Sequence, residues 1–391
     1  MSYQLHAATA LLGRSLEPHR DVAITVANGL ITHITTGVGP GDLPSHPFVM
    51  PGLIDCHVHL ALSGGEDVER EALQLDDDRA LATALVHARA HAGCGVTTVR
   101  DLGSPRHVVL LATLNQAFGD IGMPHVLAAG AISSPAGHGN FLAAHAETLA
   151  EYAVELDAIA NAGGKYVKLF ATGGVVTAGT NPGATQMDST LIENVTQLAQ
   201  SKGLHVGTHA HGKQGILNAV RAGVDTIEHF SYLDDEIVTG LAASPSRLVG
   251  TYVATERFIL SDNRFNATPE TLGKIEAHAP HEREALKRAV AAASGDRPIG
   301  LAAGTDAGTT FNPHGWGLNE QAIALERSGM SRLDVLKTLT IRGADALGIP
   351  AGSLEVGRQA DLLILDDDPT MDLAALRALS AVYISGVPVP R

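Results

Sequence analysis

From about residue 51 to 347 the chain alternates between two kinds of apolar pattern. Short, almost unbroken apolar runs lie at 53–59, 96–101, 125–132, 166–171, 205–210, 225–230, 247–254 and 299–305. Runs of that length, apolar on both faces, predict parallel strands covered on both sides. Between them lie segments whose apolar residues recur every three or four positions, at 80–92, 188–202, 213–222 and 282–293. That spacing predicts helices with one buried stripe. Eight strands, each followed by a helix, predict an α/β fold of the (β/α)8 or TIM barrel type.

The two ends have a different texture. Residues 1–50 read as short strands punctuated by the turn pairs Asn28-Gly29 and Gly39-Pro40. The C-terminal stretch repeats that texture around ADLLILD, the DDDP turn and AVYISGVPVP. Either end alone would be too small to bury a core of its own. The expectation is therefore one small β-sandwich domain built from both termini, 1–50 with 348–391, beside a barrel spanning 51–347.

Composition narrows the partners. The 391 residues are 45% hydrophobic but only 4% aromatic, which suits close helix–sheet packing. A formal charge of −15 argues against nucleic acid or an anionic membrane surface as partner. A small-molecule substrate is expected instead, and a homo-oligomer is left open. The two cysteines, Cys56 and Cys94, sit in apolar segments and read as buried thiols in a reducing compartment. No run is long enough to span a bilayer, and the first residues do not form a secretion signal, so a cytoplasmic location is expected.

The candidate chemistry lies where the predicted strands end, which is where such barrels carry their active sites. His57 and His59 are two apart on the first strand and so point to one face. Two imidazoles placed this way can share a metal. Lys168 interrupts the apolar run Tyr166–Phe170. Its charge is costly to bury, so it is either paired, for example with Asp306, or neutral and able to react with carbon dioxide to a bridging carbamate. His209 ends the fifth strand. His211 follows just beyond it, towards substrate or supporting the ligands. His229 ends the sixth strand and could equally be a satisfied core histidine. Asp306 ends the eighth within Gly304-Thr305-Asp306-Ala307-Gly308, as a metal-side acid or base or as a helix cap.

With these residues in view, the chain resembles the amidohydrolase superfamily, and within it the imidazolonepropionase-like branch that includes metal-dependent Xaa-Pro and Xaa-Arg dipeptidases and ochratoxin-type amidases. The landmarks are MPGLIDCHVH at 50–59, VTTVRDLG at 96–103, KLFATGGV at 168–175, HAHG at 209–212, IEHF at 227–230, GTDAG at 304–308 and GSLEVGRQADLLILDDDP at 352–369. The resemblance implies two divalent metal ions, zinc foremost. His57, His59 and Asp306 would hold the more buried ion and His209 and His229 the second, with N6-carboxylysine at Lys168 bridging. It further implies attack by a metal-activated hydroxide, with Asp306 and His229 catalytic. One departure is Phe230, where relatives often carry glycine after the sixth-strand histidine.

On the substrate side, His138 in the loop after the third strand, Gln186, Met187, His211 and Arg257 are the candidates. Arginine suits a planar carboxylate. The expected function is metal-dependent hydrolysis of an amide- or peptide-like C–N bond in a dipeptide or N-acyl amino acid. A cyclic amide, imide or lactone is the alternative substrate. A mononuclear deaminase fits less well, since no acid follows His209 closely and Lys168 would have no task. A non-catalytic scaffold fits worst, because all six ligand positions are kept.

Overall fold

A computed structural model of the chain describes residues 2–117 and 122–390. Among these residues eight parallel strands run consecutively around a nearly closed barrel. They are Leu53–Val58, Val96–Asp101, His125–Ser133, Tyr166–Phe170, His205–Ala210, Thr226–His229, Arg247–Gly250 and Gly300–Ala303. Their residues are buried almost without interruption, as expected of strands covered on both faces. The eighth strand meets the first through the residues that follow them. His59 N donates to Ala307 O at 2.8 Å, and Asp306 N donates to His57 O at 2.8 Å. The buried Asp55 carboxylate reinforces this seam, accepting from Thr305 N at 3.0 Å and Thr305 Oγ1 at 2.7 Å.

Strand and helix bounds depart from the sequence expectation where local signals compete. The run 247–254 stays extended only to Gly250, because Thr251 leads directly into the helix Tyr252–Leu260. The helix expected over 282–293 begins far earlier and runs Pro269–Ala293. Thr268 caps it by accepting from Thr271 N, and Pro269 occupies its first position. Its N-terminal half escapes an apolar-periodicity reading because polar Thr271, His278 and Glu282 share the buried face, and Pro280 interrupts the pattern.

The termini form a separate, mostly antiparallel seven-stranded sheet. Ser45–Pro51 pairs with Leu362–Leu365, in the register Val49 with Ile364 and Met50 with Leu363, and so ties the two ends together. Alternate residues serve two cores, as the period of a strand requires. Phe48, Met50, Leu363 and Leu365 join the large core shared with the barrel and its helices. Val49, Leu362 and Ile364 join Leu5, Val22 and Ile24 in a second, smaller one. Ile31 N donates to Arg358 O at 2.9 Å, which folds the far edge of the sheet back towards its C-terminal strands. Among the described residues no helix is long and apolar enough to cross a membrane.

Candidate metal centre

The strand ends bring the six expected ligand residues to one mouth of the barrel, around a cavity of about 330 Å³. His57, His59, Lys168, His209, His229 and Asp306 all line it. Two donor groups can be distinguished within them: His57, His59 and Asp306 form one, and His209, His211 and His229 form the other. In the first, Asp306 Oδ1 lies 3.2 Å from His57 Nε2 and 3.3 Å from His59 Nε2. In the second, the His209 and His229 ring centroids are 4.6 Å apart, and His211 stacks on His229 at 4.9 Å. The groups adjoin, since the His57 and His229 rings are 4.9 Å apart.

Each imidazole is anchored through one nitrogen. His57 Nδ1 lies 2.9 Å from Glu228 Oε2, and His59 Nδ1 lies 3.0 Å from Gly103 O. His229 Nδ1 lies 2.7 Å from Thr251 Oγ1, His211 Nδ1 lies 2.7 Å from Ser231 Oγ, and His209 Nε2 lies 3.1 Å from Gly173 O. Anchoring one nitrogen fixes the tautomer and turns the other nitrogen's lone pair outward, which is how metal-ligating histidines are held. His57 Nε2 is buried and makes no hydrogen bond of its own.

Glu228 was not singled out by sequence reasoning, yet it organises the first group. Its Oε1 accepts from Arg100 Nη2 at 2.8 Å and from Thr226 Oγ1 at 2.6 Å, while Oε2 meets His57. Burial works against its charge, but the Arg100 guanidinium and then His57 hold the carboxyl below the usual range. Arg100 is wholly buried and also donates to Cys56 O at 2.8 Å. The sequence offered two clues: Arg100, which at the end of the second strand reads as the partner of a buried acid, and an acid directly before His229, which alternation along a strand turns to the opposite side of the chain.

Lys168 Nζ is buried with no hydrogen-bond partner. Burial lowers its pKa to about 8, with the opposing charge of Glu228 the next influence. Asp306 is not in bonding contact with it, so the salt-bridge alternative is not made. Burial, followed by mutual repulsion with neighbouring histidines, pushes His209, His211 and His229 well below their ordinary values, so their rings stay neutral and able to donate lone pairs. Asp306 is held below the ordinary range: burial opposes this, but the charges of His57 and His59 outweigh it.

Backbone geometry also concentrates here. His229, Phe230 and Asp306 have φ of 74°, 47° and 55°, in the left-handed region that non-glycine residues avoid. Phe230 holds this conformation at the position after the sixth-strand histidine, where a glycine would be unstrained. Its ring is buried in the large core.

A family model described as the amidohydrolase family matches residues 48–389. The chain belongs to the amidohydrolase family. Its relatives include the ochratoxinase of Aspergillus niger, 29% identical over 414 residues, covering 94% of this chain and 82% of that protein. The crystal structure of that ochratoxinase superposes with a TM-score of 0.83 at 24% identity, covering 99% of this chain and 95% of the other. A Xaa-Pro dipeptidase crystallised with methionine in its active site gives a TM-score of 0.87 at 23% identity, covering 99% of each chain. At these identities the superpositions speak to the fold, an amidohydrolase barrel with its terminal sheet.

The expected substrate contacts are placed unevenly within this amidohydrolase site. His138 and His211 line the cavity. The His138 ring lies 4.3 Å from that of His209 and its Nδ1 is 2.7 Å from Thr177 Oγ1. Gln186 lies one layer out, its Oε1 accepting from His138 N at 2.5 Å, and Met187 is packed in the large core. Arg257 does not line the cavity. Its guanidinium is spent on Glu320 Oε2 at 2.7 Å, Asn312 Oδ1 at 3.0 Å and Pro313 O at 2.7 Å. Sequence reasoning did not reach Glu282, which lines the cavity, or His278, whose ring lies 4.5 Å from that of His211.

Proposed function

We propose that this amidohydrolase is metal-dependent and cleaves an amide bond in a small substrate of the dipeptide or N-acyl amino acid type. One observation carries the reading: an unpartnered, buried lysine amine stands in the same cavity as two histidine-rich donor groups. A buried ammonium with no hydrogen-bonded counter-ion is too costly to be a structural end in itself. Borderline and hard donors in this mixture suit divalent ions, zinc first among them.

In this reading His57, His59 and Asp306 would hold one ion and His209 and His229 the other. Lys168, as N6-carboxylysine, would serve both. Its neutral amine adds to the carbon of carbon dioxide, a new N–C bond forms, and the nitrogen loses a proton. The product is an anion with two oxygens in place of a cation. A pKa near 8 keeps part of the amine neutral and nucleophilic at ordinary pH. When bound, such ions supply Lewis acidity and bring the pKa of water towards about 7.

The chain's own side chains do the remaining work. Asp306, kept ionised, takes up a proton and returns it to the leaving nitrogen. His229, fixed by Thr251 and stacked on His211, borders the oxygen on which negative charge develops. Glu228 and Arg100 keep His57 in one orientation. His138 and His211 are the proposed substrate contacts among the residues anticipated from sequence.

The test is a panel of Xaa-Pro, Xaa-Arg and N-acyl amino acids, run beside lactones and lactams on metal-reconstituted enzyme. Turnover of linear amides that stops on chelation is the expected result. Faster opening of cyclic substrates would move the reading to the alternative. Undiminished activity after complete metal removal would end it.

A further inference from the structure

One part of the cavity wall comes from the helix Pro269–Ala293, which contributes Thr271, Ile275 and Glu282. Thr271, Ile275, His278 and Glu282 fall four, three and four residues apart, so they share one face, and all four are buried. Two of them are out of place for a helix packed on a barrel. Glu282 is 4% exposed, yet its Oε2 has no hydrogen-bond partner, and the carboxyl is held through a hydrogen bond with Thr255. His278 is 1% exposed, and neither ring nitrogen has a partner. Buried polar atoms left unsatisfied call for an explanation, and one explanation is a ligand that completes them.

The rest of the lining indicates which ligand. Among the described residues that line the cavity, Lys168 is the only lysine or arginine, and it belongs to the metal site. The acids are several: Glu282 within, and Glu66, Asp67 and Glu69 from the segment after the first strand. Glu282 belongs to neither metal donor group. Beside it, Val175, Phe258 and Ile275 form a small apolar cluster that also lines the cavity. An apolar wall ending in a carboxylate fits an aliphatic stem with a cationic head.

We propose that Glu282 is a specificity-determining residue that receives a side-chain ammonium or guanidinium of the substrate, with Val175, Phe258 and Ile275 packing its stem. The proposal deepens the amidohydrolase reading and rests on it. Burial pushes the Glu282 carboxyl up to about 8, so a cation brought against it is the partner that lets it ionise. Thr255 is the polar side chain beside the carboxyl, and the His278 ring packs 4.5 Å from that of His211.

The test compares matched peptides on metal-loaded enzyme: Ala-Arg, Ala-Lys and Ala-norleucine, then Arg-Ala, Lys-Ala and norleucine-Ala. The two series place the cation on opposite sides of the scissile bond and show which side Glu282 reads. The cationic members of one series should be favoured by about 10- to 100-fold in kcat/KM, and Glu282→Gln should bring that ratio to within about threefold of unity. No preference in the wild type, or a preference that Glu282→Gln preserves, overturns the proposal. N-acetyl-arginine serves as a control: if only peptides with a free α-amine are favoured, the side-chain assignment is overturned.

Turnover of the norleucine peptides without any cation preference would sink this subsite while leaving the hydrolase reading intact. If no peptide is cleaved, calorimetry of arginine against norleucine with wild type and Glu282→Gln still decides the subsite, since it needs no catalysis. Should Glu282→Gln fail to fold, Thr255→Val is measured in its place, with a reduced cation preference expected.

Discussion

The protein carries two clusters of histidines in contact with one another, and they are satisfied in different ways. Around the seam of the barrel, His91 Nε2 meets His314 Nδ1 at 3.0 Å, His314 Nε2 meets Leu62 O at 3.0 Å, and His87 Nδ1 meets Leu60 O at 2.8 Å. The His87 and His314 rings stack at 4.0 Å. Here the nitrogens bond to each other and to backbone carbonyls, and the cluster ties the helix Asp77–Gly93 to the loops above the first and eighth strands. At the barrel mouth, each histidine is anchored once and turns its second nitrogen to a shared cavity beside a stranded lysine. The difference separates histidines that cross-link elements from histidines that keep a nitrogen lone pair facing the cavity. His314 shows it most plainly, with one nitrogen on His91 and the other on a backbone carbonyl, so that neither is left to face a cavity.

That contrast can be broken by substitution. The largest effect should come from Lys168→Ala, which removes the proposed bridge: hydrolysis should fall by about 10^3-fold or more, the scale for losing a member of a catalytic unit, with metal content falling in parallel. Full activity in that variant would dismiss the carbamate. Glu228→Gln should follow. It leaves Arg100 as an uncompensated buried charge and loosens His57, so metal affinity should drop about 10- to 100-fold and folding stability by about 3–5 kcal/mol. Metal titration and denaturant unfolding read the two effects separately.

In the other cluster the pattern should reverse. His314→Phe removes the contacts to His91 and to Leu62 O, costing about 1–3 kcal/mol in unfolding while metal content stays as in the wild type. Loss of metal from this variant would show that the two clusters are not independent.

The last effect is one of pH. Burial lowers His91 from 6.5 to about 3 in the folded protein. The unfolded chain then binds more protons between those values, so stability rises with pH across this window and is lost as pH falls below about 6.5. The loss is at most about 1.4 kcal/mol per pH unit for one such residue. Replacing His91 with Gln should flatten that part of the Tm–pH curve; an unchanged slope would assign the acid sensitivity elsewhere.

Much of this was legible in the chain, for identifiable reasons. Strands covered on both faces leave continuous apolar runs, and a histidine or lysine closing such a run stands out, as His57, His209 and Lys168 do. What stayed hidden depended on tertiary contacts. Glu228 gains its role from Arg100, more than a hundred positions away. Arg257 looked suited to a substrate carboxylate, but Glu320 and Asn312 engage it from the next helix and loop. Glu282 and His278 were obscured because polar residues on the buried face erase the apolar stripe by which a helix is recognised. The left-handed backbone at His229 and Asp306 leaves no mark in a sequence that carries no glycine at those positions.

The most direct test of the central claim is elemental analysis of the purified protein, paired with its hydrolytic activity. About two divalent ions per active chain are expected, falling together with activity in Lys168→Ala. An active enzyme carrying no metal, or a Lys168→Ala variant that retains its full complement of ions, would contradict it.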